Sequence, residues 1–93
     1  MITKQSHQRH ELEARAVALL TRARHDLERL HASGRGHLVQ EIEHEIQRIE
    51  ELVHELRSHP SSTLEAEHGR QIEERLAEHE RRLAEELRRI EGL

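Results

Sequence analysis

Histidine is the residue type in this sequence with the widest chemical repertoire, and there are ten of them among 93 residues. An imidazole can bind a metal ion or exchange a proton near neutral pH. A zinc site needs three or four imidazoles or carboxylates that converge on one point. The fold therefore has to bring several of these side chains together before they can act. The ten are His7, His10, His25, His31, His37, His44, His54, His59, His68 and His79.

Four histidines are expected at one end of the molecule. His7 and His10 have the i,i+3 spacing of neighbours on one helix face. His59 and His68 flank the start of the last predicted helix. If the four side chains converged, they would form a divalent-metal site for zinc or copper, and this is one alternative function. The other interpretation is that they are hydrated surface groups, so the sequence leaves the metal ligands unknown.

The spacing Glu-x-x-His occurs three times, and inward-pointing pairs of this kind hold the metals of di-iron helical bundles. In the second predicted helix these pairs lie away from the apolar stripe, so we do not expect a di-metal site. The pairs are Glu41/His44, Glu51/His54 and Glu65/His68.

Two polar residues, His79 and Glu80, interrupt the apolar stripe of the last helix between Leu76 and Leu83. They could form a ligand-binding notch or a pH-sensitive pair. We expect instead that both side chains extend outward at the rim of the stripe.

Other chemistry has little support in the sequence. The serines fall in predicted caps or turns, no glycine-rich phosphate loop is present, and there is no cysteine. The absence of Phe, Tyr and Trp removes the side chains that stack on nucleic-acid bases. We therefore predict no enzyme activity, no catalytic residue, no cofactor and no nucleic-acid partner.

The apolar residues are arranged in three helical stripes. They run from Leu12 to Leu30, from Leu38 to Leu56 and from Ile72 to Ile90. Each stripe is about 27 Å long at the helical rise per residue. The middle stripe has spacings of three and four residues without a break, which is typical of a helix covered by other helices. Its members are Val39, Ile42, Ile46, Ile49, Val53 and Leu56.

Turn residues separate the stripes. Gly34 suits a left-handed helix end, and Pro60 disfavours helix at the preceding residue. Ser62 and Glu65 have the spacing of a capping box, and Thr3 or Ser6 could cap the first helix. We predict helices over about 6–32, 37–58 and 62–92. The chain is thus predicted to form one all-α domain, 1–93, an up-down-up antiparallel three-helix bundle.

The charge pattern fits this arrangement, because the first predicted helix is net positive and the other two are net negative. Charged residues make up 37% of the chain, and the formal charge is −4. Protonation of all ten histidines would change it to +6, so solubility and self-association should depend on pH.

No segment is apolar enough to span a membrane or to form a signal peptide, so we expect a soluble protein of the cytoplasm.

The unbroken heptads of 38–56, the Ser62–Glu65 spacing, the Gly34 stop and the equal stripe lengths together resemble a de novo designed helical bundle. Such designs favour idealised helices and aliphatic cores. The single lysine, fourteen arginines and ten histidines depart from that style. The resemblance implies a stable scaffold without catalytic activity, from the cytosol of an expression host.

A helical binding module is the main alternative to a scaffold. Its charged face would recognise a protein partner, and the first candidate surface is the run Arg75, Glu78, Arg81 and Arg82. The other interpretation of this run is ordinary hydrated surface. We expect a monomer, with a homodimer that uses the same apolar stripes as the alternative.

Overall fold

The computed structural model of the chain describes residues 7–34 and 36–91. Three long helices dominate the fold: α1 (Arg9–Ser33), α2 (Gly36–Arg57) and α3 (Ala66–Glu91). Two short strands, β1 (His7–Gln8) and β2 (Thr63–Leu64), pair antiparallel. The prediction of an all-α three-helix bundle is confirmed.

The core is aliphatic and takes residues from all three helices. The largest fully buried side chains include Leu30 of α1, Ile49 of α2 and Leu76 of α3. Every position of the predicted α2 stripe is buried, and so are Leu38 and Leu52 on its flank. Burying this much apolar surface is the main favourable term in folding. Of the three helices, α3 supplies the fewest buried apolar side chains among the described residues: Ile72, Leu76 and Leu83.

Ion pairs connect the helices at the edges of the core. Arg15 of α1 contacts Glu80 of α3 at 2.9 Å, and Arg89 of α3 contacts Glu41 of α2 at 2.7 Å. The hydrogen bond from Arg15 lowers the pKa of Glu80. These pairs are partly exposed, so each contributes less than about 1 kcal/mol and mainly favours one helix arrangement.

The turn between α1 and α2 depends on Gly34, as predicted. Gly34 has a φ of 76°, and its backbone N–H donates to the carbonyl oxygens of Leu30 and His31. This left-handed conformation closes the last turn of α1 and is costly for a residue with a Cβ atom.

Replacing Gly34 with alanine should therefore lower the free energy of unfolding by about 1–2 kcal/mol. Gly36 is the matched control, because it is the first residue of α2 and an added Cβ would meet no atom within 4 Å. Gly36→Ala should leave stability unchanged or raise it slightly. Urea unfolding of both variants measures the difference, and equal losses would be inconsistent with a left-handed cap at Gly34.

The ends of the helices differ from the predicted ones near β1 and β2. Helix α3 begins at Ala66, four residues later than predicted, and the Ser62–Glu65 capping box does not form. The reason is Leu64, which is fully buried in the extended strand β2. The carbonyl of Ser62 instead accepts a hydrogen bond from the backbone N–H of Arg9 at 2.9 Å.

Helix α1 begins at Arg9 rather than near residue 6. Its N-cap is Gln8, which makes no side-chain capping hydrogen bond. The proposed caps Thr3 and Ser6 lie outside the described residues.

Candidate functional site

Three polar side chains are buried together with the apolar core along the α2–α3 side of the bundle. Glu45 comes from α2, and His79 and Glu86 come from α3; their residues are 4%, 8% and 8% exposed. We call these three the α2–α3 polar cluster. Buried carboxyl and imidazole groups are uncommon, because removing them from water is costly unless they find partners.

Glu45 and His79 are partners across the α2–α3 interface. The Nδ1 atom of His79 contacts the Oε2 atom of Glu45. An ionised carboxylate only accepts hydrogen bonds, so Nδ1 donates the proton whenever Glu45 is charged. The contact therefore satisfies both groups and fixes the orientation of the imidazole ring.

The predicted position of His79 is wrong, since its side chain is buried instead of lying at the rim. Instead of extending outward, the imidazole makes a hydrogen bond to the carboxylate of Glu45 on the facing helix. The prediction for Glu80 agrees with the structure: its side chain is 39% exposed and pairs with Arg15.

Glu86 has no such partner. Its Oε1 atom is buried and makes no hydrogen bond. Burial, together with the negative charges of Glu45 and Glu41, raises the pKa of this carboxyl to about 7. Arg89 and Arg82 act in the opposite direction and only partly offset the increase. Near neutral pH, Glu86 therefore exists in both the protonated and the ionised form.

Two cavities lie beside the α2–α3 polar cluster. An open groove of about 600 Å³ reaches His79, and a smaller cavity of about 280 Å³ reaches Glu45 and Glu86. Arg48 of α2 and Arg82 of α3 line both. The other lining side chains are Arg, Glu, Gln and His, so neither cavity presents a hydroxyl nucleophile. Within the cluster, Glu86 can therefore bind and release a proton near neutral pH.

Of the four histidines expected at one end of the molecule, His59 and His68 lie next to each other. The rings of His59 and His68 are 5.4 Å apart. The Nδ1 atom of His59 lies 3.0 Å from the carbonyl oxygen of Ser61, and Nε2 of His68 lies 3.6 Å from Glu55. His10 is exposed, and the side chain of His7 lies outside the described residues. Within the described part of the chain, no group of three His, Cys, Asp or Glu residues is arranged to hold a metal ion.

The Glu-x-x-His pairs lie away from the core, apart from the partly buried Glu41 and His68. Glu41 contacts Arg89, and His44 is exposed. Glu51, His54 and Glu65 are exposed as well. None of the three pairs has both of its side chains in the core.

The charged run on α3 that was predicted as a partner surface is neutralised within the molecule. Arg75 contacts Glu55 at 3.0 Å, and Arg82 contacts Glu78 at 2.9 Å. Arg81 pairs with Glu85 at 2.8 Å and also with Glu78. A partner would have to replace these contacts with its own charges, which reduces the electrostatic gain of binding.

Sequence reasoning missed the α2–α3 polar cluster, although heptad spacing contains the signal. Ile72, His79 and Glu86 are seven residues apart and occupy one line along α3. Leu38, Glu45 and Leu52 form the corresponding line on α2. A polar residue on a line that otherwise holds buried leucine or isoleucine is a candidate buried group.

Comparison of the chain with protein-family models, with curated proteins and with solved structures found no match. A search of the described helices found none with the length and apolar character needed to cross a membrane.

Proposed function

We propose that this protein is a helical-bundle scaffold of the designed type, a monomer of the cytosol without catalytic activity. The observation that carries the proposal is the single aliphatic core to which α1, α2 and α3 all contribute. A core of this kind stabilises the bundle without a ligand, a metal or a disulfide bond.

The details of the helices support this proposal. Gly34 gives α1 a sharp C-terminal end, and ion pairs connect each helix to its neighbours. These are features that design methods introduce deliberately. Two buried atoms without hydrogen-bond partners, Oδ2 of Asp26 and Oε1 of Glu86, depart from the design rule that every buried polar atom is satisfied.

The absence of catalysis is proposed from the surroundings of the most reactive pair. Glu45 can orient His79 as a base, which resembles two parts of a nucleophilic triad. The groove beside His79 is lined by arginine, glutamate and glutamine side chains, with no serine or threonine among them. A base without a positioned nucleophile or substrate carbonyl has no group to activate.

A binding module remains the alternative, and it would use the face formed by Arg75, Glu78, Arg81 and Arg82. The internal ion pairs of these residues give this alternative less support than the scaffold. A scaffold needs only its own fold. A binding module also needs a partner whose charged groups can replace these internal ion pairs.

Urea unfolding of the isolated protein tests the scaffold proposal. We expect one cooperative transition, with the loss of helical circular dichroism coinciding with the loss of dispersed amide signals in NMR spectra. The chain should reach this state without any added ligand. Gradual unfolding, or dispersed spectra only after addition of a metal ion such as zinc, would contradict the proposal.

A further inference from the structure

Glu86 has no evident use in a scaffold. Leaving a buried carboxyl oxygen without a hydrogen bond costs about 1–3 kcal/mol, and the cost is greater when the group is charged. A leucine at this position would place an apolar side chain on the same line of α3 as Ile72. The structure instead places an ionisable group at a buried position, where removal from water disfavours its charged form.

The charged groups around Glu86 come from both helices that enclose it. Helix α2 presents Glu41, His44, Glu45 and Arg48 to the small cavity, and α3 presents Arg82, Glu85 and Arg89. Among the described residues, α1 contributes no side chain to this cavity. Arg89 pairs with Glu41 and Arg82 with Glu78, so these two cations only partly offset the effects that raise the pKa of Glu86.

Of the neighbouring carboxylates, Glu45 raises the pKa of Glu86 most, and Glu45 is itself in contact with His79. When Glu45 is ionised, its Oε2 atom accepts a hydrogen bond from the Nδ1 atom of His79. Two carboxylates that are buried side by side repel each other, and one proton between them removes the repulsion. Protonation of Glu86 is therefore the change that leaves the Glu45–His79 contact intact.

We propose that Glu86 is a proton-operated switch on the packing of α3 against α2. With its proton bound, Glu86 is a neutral group in the interface, and the C-terminal half of α3 packs closely on α2. Without the proton, the buried charge repels Glu45 and Glu41, and this part of α3 loosens so that water reaches the carboxylate.

The sign of the pH effect follows from the raised pKa of Glu86. The folded state holds the proton up to about pH 7, whereas the unfolded chain releases it near the ordinary value of 4.5. The stabilisation is complete below pH 4.5 and is lost as the pH rises to about 7. Above that range the ionised form of Glu86 opposes folding.

The test compares the wild-type protein with Glu86→Gln, which keeps the shape and removes the charge. The matched control is Glu85→Gln, since Glu85 is adjacent in sequence but exposed and paired with Arg81. Urea unfolding at pH 5 and pH 8.5 gives the unfolding equilibrium constant of each protein. All three contain the ten histidines, so histidine titration cancels in the comparison.

We expect the stabilising effect of Glu86→Gln to be about 10-fold or more larger in equilibrium constant at pH 8.5 than at pH 5. At pH 8.5, amide hydrogen exchange in residues 83–89 should also be slower in Glu86→Gln than in the wild type. Glu85→Gln should show neither effect. An effect of Glu86→Gln that is the same at both pH values would overturn the proposal.

A measurement on the unmodified protein covers the case in which the variant does not fold. The side-chain carboxyl carbon of Glu86, observed by NMR, should titrate near pH 7, and the other glutamates provide internal references. A titration midpoint near 4.5 for Glu86 would also overturn the proposal.

Discussion

Replacement of His79 with leucine is expected to lower the free energy of unfolding by about 3–5 kcal/mol at pH 7. Leucine fits an apolar interface, so the loss does not come from the new side chain itself. It comes from Glu45, which is 4% exposed and would stay buried after losing its hydrogen bond with His79. An uncompensated buried carboxylate is much less favourable than either the pair or an apolar substitute.

The double variant Glu45→Leu/His79→Leu tests whether the loss of stability comes from the unpaired carboxylate of Glu45. Removal of both partners eliminates the unpaired buried charge. The double variant should therefore recover most of the lost stability, and its free energy of unfolding could exceed that of the wild type. His25→Leu is the control for the substitution, because His25 is exposed on α1 and its replacement should change stability by less than about 0.5 kcal/mol. Equal and additive losses from the two single substitutions would show that Glu45 and His79 do not interact.

The second large effect is expected from Leu76→Ala, which should cost about 2–5 kcal/mol. Leu76 is fully buried and belongs to the small set of α3 side chains that enter the core. Its truncation leaves a cavity and weakens the attachment of α3 to the other two helices. Urea unfolding followed by circular dichroism measures the loss.

Leu87→Ala is the matched control for Leu76→Ala, because it is the same chemical change on the same helix. Leu87 is only partly buried against the core, so its truncation should cost clearly less, about 1 kcal/mol. If both substitutions cost the same, α3 would not be docked through the face that contains Leu76.

Spacing along the sequence was sufficient to predict the helices and the core. The stripe Val39 to Leu56 identified the buried face of α2, and Gly34 identified the end of α1. Both depend on local rules: helical periodicity and the conformational preference of glycine. The start of α3 was predicted too early, because Ser62 and Glu65 have capping residue types while burial of Leu64 keeps the chain extended there.

The α2–α3 polar cluster could not be predicted with the same rules. A glutamate beside Ile46 or a histidine between Leu76 and Leu83 is expected at the surface when each helix is considered alone. Glu45 and His79 are buried because each satisfies the other, and they are 34 residues apart in the chain. Such pairing depends on how two helices face each other, which single-helix periodicity does not contain.

In this structure, all three helices of one chain pack around one core. Sedimentation equilibrium at pH 7 tests this arrangement most directly, because it distinguishes a monomer of 11.0 kDa from a dimer of twice that mass. We expect a single species with the mass of one chain across the concentration range. A species of about twice that mass, with helix α3 of one copy packed on another, would contradict the account.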